Sequence, residues 1–548
     1  MIENISDWPI SKLTAERDEF LKEVISDSLK NINETVKRRG SLGEEIEKAI
    51  YLEKIRINEN PWKVDPKDER SYWNSIKSRL LITYDEEDSE EKVKNEEEIA
   101  TDIVTRYANE IVGNFDIPTF KVARRVAPFM ISRLLNTASN RHIKKIWSSR
   151  HRLRDRIIFK GHTEDTVNLA EKGTIVLVPT HFSNLDSMLV GFCLDLLKLP
   201  PFLYGAGLNL YNNSIIAHFI DRLGAYKVDR RKKNRFYLET LKSYSRIALQ
   251  RGCHSLFFPG GTRSRSGGIE KQLKLGLLGT AFEAQYHNYS EGNSGKKIFI
   301  VPVVIGYHFV LEAASLIKEH LKRTGKEKYF IENDQFSSTY KILKFLWDFF
   351  SKGSQITLSF GKPMDIFGNY IDAEGESLDK SGNKIDTKKY FYTDGKLKIS
   401  AQRDAQYAMQ LGKRIVEEYY KNNLVLTSHL VAFTAFELLR KQHSLDLYAL
   451  LRIAEDDRIL PQRLFKDTLQ KLMNRLMELE KEGKVCLSEY FSDSVENFMA
   501  HGIRNLGLYH TKRVLYEDNS GHLLTDDMNL LYFYRNRMDG YELERYID

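Results

Sequence analysis

Cysteine is scarce in this sequence, and the few cysteines are far apart. Cys193, Cys253 and Cys486 are the only three in 548 residues, and no Cys-x-x-Cys pair occurs. A disulfide framework needs several cysteines, and a structural zinc site needs closely spaced ligands, so the sequence predicts neither. We therefore expect a reducing, cytoplasmic environment and no bound metal.

Long hydrophobic runs are also missing. Residues 187–208 contain two charged residues, and residues 298–317 are interrupted by His308 and Glu312. A helix that crosses a bilayer needs about 20 consecutive, mainly apolar residues, so neither stretch qualifies. Residues 1–7 have neither the basic start nor the apolar core of a secretion signal. Any membrane contact is predicted to be peripheral.

Positive charge is modest in total but clustered. The formal net charge is +7, and basic residues concentrate at 141–156 and 230–233. Such clusters suit phosphate groups on lipids, small anions or nucleic acid. The first cluster also carries Trp147, so we expect it to rest on anionic lipid head groups, with a solvated helix face as the alternative.

The pattern along the chain predicts four regions. Residues 1–150 have apolar residues at helical spacing and indicate a helical N-terminal region. Residues 151–365 alternate short apolar runs with amphipathic stretches, which predicts the α/β class, with a mixed, largely buried β-sheet flanked by helices. Residues 366–400 form a polar insert, predicted to be a surface hairpin or loop, and residues 401–548 a helical C-terminal region. We find no repeat with a fixed period.

Six short apolar runs are predicted to be strands, namely 174–179, 202–206, 225–228, 255–259, 298–306 and 356–360. Four of the 12 prolines lie within or just after these runs: Pro179, Pro259, Pro302 and Pro363. Proline interrupts strand pairing, and active-site loops of open α/β sheets lie where strands end. We expect the functional site at these strand ends.

His181 and Asp186 lie between a predicted strand and a predicted helix. On one continuous helix these residues would be separated by roughly 140° and would not face each other. A strand-to-helix turn capped by Ser183 or Asn184 would bring them together. A carboxylate that holds a histidine fixes its tautomer and stabilises the imidazolium, as a general base requires. The alternative is a capping aspartate and an ordinary loop histidine.

Two further segments favour anion binding. Gly224 allows tight entry into a short strand, and Arg230, which can grip phosphate through two parallel hydrogen bonds, stands where that strand ends. Residues 258–267 combine glycines, hydroxyls and Arg263, which suits a phosphate or the oxyanion of a tetrahedral intermediate. A nucleotide P-loop is not expected, because the Gly-Lys-Ser/Thr ending is missing. The alternatives are a solvated basic loop and a flexible basic turn.

These segments together resemble the glycerolipid acyltransferase superfamily. Residues 181–186 match its His-x4-Asp block, 224–230 its Gly-x-x-x-Ile/Val-x-Arg block, 258–264 its Phe-Pro-Glu-Gly-Thr-Arg-Ser block, and 301–303 its short proline-containing block. Residues 205–210, 263–267 and 532–537 are more similar to the large glycerol-3-phosphate acyltransferases than to the small lysophosphatidate enzymes. One position departs from the pattern. Gly260 stands where the family has a glutamate that is thought to help position the polyol.

The resemblance implies an enzyme that transfers a fatty acyl group to the sn-1 hydroxyl of glycerol 3-phosphate, giving lysophosphatidate for phospholipid biosynthesis. The donor would be acyl-CoA or acyl carrier protein, and the enzyme would act as a peripheral protein on the cytoplasmic face of a membrane. His181, oriented by Asp186, would be the general base. Binding of the substrate and oxyanion would fall to Arg230, Gly261, Thr262, Arg263, Ser264 and Lys274, with the helix start after Asn184 as another source of oxyanion donors. No metal or cofactor is expected, because a thioester is already activated and no ligand cluster is visible.

Other interpretations remain open. A lysophospholipid or 1-acylglycerol-3-phosphate acyltransferase would use the same catalytic residues, and Gly260 would also suit a non-catalytic membrane-associated homologue. Residues 460–485 could form a helical pair followed by a β-wing, but the acidic residues there include Glu478, Glu480 and Glu482, so no nucleic-acid partner is expected. A serine hydrolase is not expected without a Gly-x-Ser-x-Gly elbow.

The acyl chain would need an apolar surface. We expect the helix at 187–197, with Phe202 and Leu203, to line an acyl channel or to insert at the membrane surface. The alternative is ordinary core packing of these residues.

Overall fold

The computed structural model describes residues 4–124, 157–184, 186–212, 214–324, 355–508 and 510–547, so the basic segment at 141–156 lies outside the described residues. The N-terminal region is helical as predicted, with α1 (Pro9–Ala15), α2 (Arg17–Arg39), α3 (Leu42–Glu59), α4 (Glu69–Tyr84) and α5 (Ser89–Ile111). Helix α3 starts after Ser41, whose side chain accepts the N–H of Glu44 and caps the helix.

A mixed sheet forms the centre of the α/β region, which confirms the predicted fold class. Its strands are β1 (Ile157–Gly161), β2 (Gly173–Pro179), β3 (Leu203–Gly207), β4 (Ala225–Val228), β5 (Ser255–Leu256), β6 (Lys297–Tyr307) and β7 (Ile356–Phe360). They lie in the order β1-β7-β6-β2-β5-β3-β4. The only antiparallel neighbours among these described strands are β6 and β7.

Both faces of this sheet are covered. On β2, Ile175 and Leu177 join one hydrophobic cluster, whereas Val176 and Val178 join another on the opposite face. The surrounding helices are α6 (Thr163–Leu169), α7 (Asp186–Leu196), α8 (Ser214–Arg222), α9 (Arg235–Gln250), α10 (Gly276–Ser290) and α11 (Ala313–Thr324). Burial on two sides explains why β2 is continuously apolar instead of alternating.

The N-terminal helices pack against this sheet region through α9. The ring of Phe20, on α2, lies edge-on to the ring of Tyr244, on α9, with centroids 5.2 Å apart. Both side chains are buried. The helical region and the sheet therefore share one continuous apolar contact.

The sequence missed β1 and overestimated β5. Strand β1 pairs in parallel with β7 at the edge of the sheet. Strand β5 covers only Ser255–Leu256, because the chain turns into a loop at Pro259, which has no N–H for strand pairing. The other predicted strands agree with the structure to within one residue at each end.

The C-terminal region is also helical, as predicted, and carries short strands. Its elements are α12 (Ala401–Lys421), β10 (Leu424–Val425), α13 (Thr427–His443), α14 (Leu447–Leu450), β11 (Ile459–Pro461), α15 (Gln462–Lys481), β12 (Cys486–Leu487), α16 (Val495–Asn505), β13 (Tyr516–Glu517), β14 (His522–Leu524) and α17 (Met528–Arg535). Three of these strands form a small antiparallel sheet in the order β11-β14-β13. In the described part of the chain, no helix is long and apolar enough to cross a membrane.

The predicted helical pair at 460–485 is one helix, α15, because the chain has no break between Gln462 and Lys481. The wing is formed later, by β13 and β14. Helix α16, which follows α15, exposes Glu496, Asn497 and Ala500 beside Arg504. This is not a basic surface.

The polar insert contains a repeat that the sequence analysis missed. Asp365, Asp372 and Asp379 each accept N–H groups from the residues two and four positions later. Gly368 and Gly375 have φ of +83° and +82°, and the next unit has the same geometry, which glycine adopts without strain. The prediction of no fixed-period repeat is wrong here, because this Asp-x-x-Gly unit recurs every seven residues. The short strands β8 (Tyr392–Thr393) and β9 (Lys396–Leu397) follow, and the domain boundaries at 150, 365 and 400 stay predictions.

Candidate active site

The end of β2 places His181 at a strand-to-helix turn. The N–H of Thr180 donates to the carbonyl of Val303 at 2.9 Å, and its hydroxyl accepts the N–H of Ile305 at 3.0 Å, so the turn is attached to β6. Helix α7 begins at Asp186. Nδ1 of His181 lies 2.8 Å from Oδ2 of Asp186. The turn therefore brings the two residues together, as their spacing suggested.

The carboxylate of Asp186 is completely buried but fully hydrogen-bonded. Its Oδ2 also accepts the N–H groups of Phe182 at 2.7 Å and Ser183 at 3.0 Å, and its Oδ1 accepts the hydroxyl of Tyr307 at 2.5 Å. Burial, with the neighbouring negative charge of Asp186, raises the pKa of Tyr307, so this hydroxyl stays a donor. Because Asp186 accepts from Nδ1, the proton of His181 lies on Nδ1 and Nε2 is left as the basic nitrogen.

The ring and the backbone of His181 are held by the loop after β5. The ring stacks on Phe258, with centroids 4.1 Å apart and an angle of 22° between the planes. The carbonyl of His181 accepts the N–H of Ser264 at 2.7 Å, and its N–H donates to Oε1 of Glu270 at 2.9 Å. The side chain of His181 keeps 15% exposure, which leaves it accessible to a substrate.

Two N–H groups predicted to bind an oxyanion are engaged within the protein. The N–H of Gly261 donates to the carbonyl of Phe258 at 2.9 Å, and that of Ser264 donates to His181. The hydroxyl of Thr262 accepts from Arg265 at 3.0 Å. In this arrangement, the N–H groups of Gly261 and Ser264 hold the turn, and their part in binding an oxyanion stays a prediction.

Lys274 packs directly against the loop at Gly261. Gly261 has φ of +75°, and a Cβ placed on it would lie 2.5 Å from Cδ of Lys274. The N–H of Lys274 donates to the carbonyl of Pro259 at 2.7 Å. Lys274 is exposed, so its positive charge lies beside the loop at the protein surface.

Glu312 joins two of the sequence blocks and was missed as a site residue. Its carboxylate accepts the hydroxyl of Ser183 and the N–H of Asn184, each at 3.0 Å, and lies 3.3 Å from Nη1 of Arg263. Burial raises the pKa of Glu312, while the charge of Arg263 opposes that shift. Arg263 is therefore ion-paired within the site. The available signal was a charge within the apolar run at 298–317.

Arg230 stands close to other positive charges. Its pKa is lowered, first by loss of hydration and then by the charges of Arg265 and Arg263. Arg265 pairs with Glu319 at 2.8 Å, and Arg263 pairs with Glu312, whereas Arg230 has no ion pair among the described residues. The structure thus groups the predicted Arg230 and Arg263 into a field that favours an anion.

Part of the sequence matches a known protein family. Residues 160–306, which contain all four sequence blocks, match the family model described as Acyltransferase. This part of the chain is therefore similar to acyltransferases. The resemblance seen in the sequence is therefore confirmed.

The curated relatives are modestly similar to this chain and are longer than the part that matches. The chain is 26% identical over 282 residues to a glycerol-3-phosphate acyltransferase of Pseudomonas paraeruginosa (strain DSM 24068 / PA7), an alignment that covers 51% of this chain and 29% of the relative. It is 28% identical over 215 residues to that of Pseudomonas fluorescens (strain Pf0-1), covering 39% and 24%. For the Pseudoalteromonas atlantica protein the identity is 27% over 243 residues, covering 43% and 26%. The chain spans less than a third of the length of these curated relatives.

The C-terminal region supplies a buried cation behind the turn that carries His181 and Asp186. Arg537 lies over the ring of Phe182 at 4.2 Å from the centroid, and donates to Asn423 and to the carbonyl of Ile305, each at 2.8 Å. Burial lowers the pKa of Arg537 to about 10. The sequence analysis singled out residues 532–537 as a family feature but did not place them at the site.

Phe202 and Leu203 do not reach the surface. Phe202 is 3% exposed and Leu203 is 4% exposed, and the ring of Phe202 packs 4.9 Å from that of His254. Insertion of these two residues into a membrane is therefore a wrong prediction, whereas their place in the wall of an acyl channel stays a prediction beside ordinary core packing. On α7, Met188 is 56% exposed.

Proposed function

We propose that this acyltransferase moves a fatty acyl group from acyl-CoA or acyl carrier protein to the sn-1 hydroxyl of glycerol 3-phosphate and releases lysophosphatidate. The main observation behind this proposal is the 2.8 Å contact between His181 and Asp186, close to the arginine cluster that contains Arg230. A histidine base next to a phosphate site is what acylation of a phosphorylated alcohol needs. The names of the relatives support this choice of acceptor.

In the proposed reaction, Nε2 of His181 takes the proton from the acceptor hydroxyl as the hydroxyl oxygen attacks the thioester carbonyl. The carbon–sulfur bond then breaks, and the imidazolium returns the proton to the leaving thiolate. Asp186 stabilises the imidazolium through Nδ1. The transfer is direct, without an acyl-enzyme, and uses no metal or cofactor because the thioester is already activated.

Arg230 is the main phosphate ligand in this proposal. Arg263 and Lys274 add positive charge, but Arg263 shares its charge with Glu312 at 3.3 Å. Of the oxyanion donors predicted from the sequence, the N–H groups of Ser264 and Asn184 already donate within the protein. The N–H of Thr262 remains in the proposal.

The direct test is an acyl-transfer assay with purified protein in liposomes or detergent. Labelled glycerol 3-phosphate is incubated with palmitoyl-CoA or palmitoyl-acyl carrier protein, beside the His181→Ala variant and with lysophosphatidate as a second acceptor. We expect label in lysophosphatidate only when His181 is intact, and the productive donor is identified by the same experiment. Transfer only to lysophosphatidate would assign the protein to the alternative acyltransferase, and no transfer to either acceptor would overturn the proposal.

We further propose that the protein works peripherally on the cytoplasmic face of a membrane. Met188, two residues after Asp186 on α7, is 56% exposed and presents an apolar side chain close to the catalytic turn. In liposome flotation, Met188→Asp is expected to weaken binding. Met409→Asp is the matched control, because Met409 is 53% exposed on α12. Equal flotation of both variants and wild type would contradict the proposed contact.

A further inference from the structure

The space beside Gly260 is already filled by another side chain. A Cβ added to Gly260 would lie 2.9 Å from Cγ and 3.1 Å from Oε1 of Glu270. Real Cβ atoms rarely approach so closely, so any side chain at position 260 would compete with Glu270 for one volume. Gly260 and Glu270 therefore form a complementary pair, in which the glycine makes room for the carboxylate.

One oxygen of Glu270 holds the catalytic turn. Oε1 accepts the N–H of His181 at 2.9 Å. The carboxylate is thus attached directly to the backbone of the residue that acts as the base.

The other oxygen of Glu270 has no partner. Oε2 is buried and makes no hydrogen bond within the described part of the chain. Burial raises the pKa of Glu270, with partial compensation from the His181 N–H and from the charge of Arg537. A buried carboxylate oxygen without a donor is costly, and such exceptions call for a ligand or a functional reason.

Glu270 also lines a cavity of about 350 Å³, and the other polar side chains around this cavity belong to Ser264, Ser266, Lys271, His320, Tyr532, Asn536 and Asp539. These neighbours contribute hydroxyl, amide, ammonium, imidazole and carboxylate groups, so the cavity suits a polar ligand that carries hydroxyl groups. Ser264 is the residue whose N–H holds the carbonyl of His181, so the cavity adjoins the catalytic turn.

We propose that Glu270 is the acceptor-binding carboxylate of this acyltransferase, and that its Oε2 accepts a hydrogen bond from a hydroxyl of the bound polyol phosphate. The inference rests on the proposed function. Position 260 has no carboxylate, and Glu270 provides one instead. The carboxylate of Glu270 fits there only because residue 260 is glycine. Gly260 therefore indicates that the carboxylate has moved to another position, and not that the activity has been lost.

Glu270→Gln is the primary test. The glutamine keeps the shape and an oxygen for the His181 N–H, but replaces Oε2 with an NH2 group that cannot accept a hydrogen bond. Loss of a hydrogen bond to a charged acceptor predicts a rise of about tenfold or more in KM for glycerol 3-phosphate. KM for palmitoyl-CoA should not change, because the donor does not contact the polyol site.

Glu283→Gln is the matched control. Burial also raises the pKa of Glu283, but this residue lies on α10, outside the catalytic turn. We expect wild-type KM values for this variant. If KM for glycerol 3-phosphate is unchanged in Glu270→Gln and wild type acylates glycerol 3-phosphate, the inference about Glu270 is overturned but the proposed function stands. Wild-type protein that acylates no polyol phosphate would overturn both.

A carboxylate swap tests the shared volume. Glu270→Gly alone should raise KM for glycerol 3-phosphate, and Gly260→Glu alone should lower the melting temperature, because two carboxylates then compete for one place. The double variant Gly260→Glu/Glu270→Gly should recover KM to within a few-fold of wild type and should recover the melting temperature. A double variant no better than Glu270→Gly in KM, and no more stable than Gly260→Glu, would overturn the inference.

Discussion

The hydroxyl of Tyr307 donates to Oδ1 of Asp186 at 2.5 Å, on the carboxylate oxygen that does not hold His181. Tyr307 is the last residue of β6, and Asp186 is the first residue of α7. The central sheet therefore determines directly the orientation of the carboxylate that holds His181. This contact leads to the first of four predictions.

Tyr307→Phe should weaken the site without changing its shape. It removes one donor from a buried charged acceptor, so we expect the free energy of unfolding to fall by about 2 kcal/mol. The turnover number should fall about tenfold, because His181 is less well oriented. Urea unfolding and steady-state kinetics measure both.

Tyr226→Phe is the control for this change. The hydroxyl of Tyr226 is buried and makes no hydrogen bond among the described residues, so its removal should cost little. Equal destabilisation by the two variants would show that the hydroxyl of Tyr307 has no special role.

Asp186→Asn and His181→Ala should lower the turnover number for the same reason. Either change removes the oriented base, and we expect the turnover number to fall by roughly 10³-fold or more. Because the two residues act as a unit, the double variant should be no worse than the poorer single variant. Kinetics of the three variants check this, and multiplicative losses would show that the residues act independently.

Arg230→Gln should raise KM for the phosphorylated acceptor by about tenfold, since it removes a charged hydrogen-bond donor to the phosphate. KM for the acyl donor should stay the same. Arg231→Gln is the neighbouring control. Arg231 donates to Asp229 at 2.9 Å, pairs with Asp65 and covers the ring of Trp62, so its loss should reduce stability.

The two arginine variants are compared by acceptor KM and by thermal unfolding. If acceptor KM rises for Arg231→Gln and not for Arg230→Gln, Arg231 binds the phosphate, and the assignment of Arg230 as the phosphate ligand is contradicted.

His254 should make the fold sensitive to acid. It accepts the N–H of Ile175 at 3.0 Å, and burial lowers its pKa to about 4. The unfolded chain therefore takes up the proton first as pH falls from about 6.5, and the free energy of unfolding decreases until about pH 4. The contribution of this one group is roughly 3 kcal/mol.

His254→Asn isolates this effect, because Oδ1 of asparagine can accept the same N–H but does not titrate. Urea unfolding at several pH values between 7 and 4 should show a smaller loss of stability for the variant than for wild type. Identical slopes for His254→Asn and wild type would contradict the assignment to His254.

Local patterns in the sequence were sufficient for most strands and for the catalytic pair. Strands β4 and β7 match the predicted runs, because short runs rich in apolar, aromatic and β-branched residues between turns favour a buried strand. His181 and Asp186 were found because a single strand-to-helix turn separates them, whereas the contacts that hold the pair in place, such as that of Tyr307 with Asp186, come from elsewhere in the chain. The seven-residue repeat of the insert also depends on residues that are near each other in the chain. It was missed because its units are polar and show no hydrophobic period.

Only the tertiary structure decided what surrounds the catalytic pair. Glu312 meets Ser183, Arg537 covers Phe182, and Glu270 fills the space at Gly260, although each partner is distant in the chain or lies across a loop. Sequence patterns report which residues share a helix or strand face, whereas these contacts depend on how separate elements pack. The sequence by itself determined the chemistry of the turn, and packing of the sheet, the loop after β5 and the C-terminal region decided which carboxylates and cations stand around it.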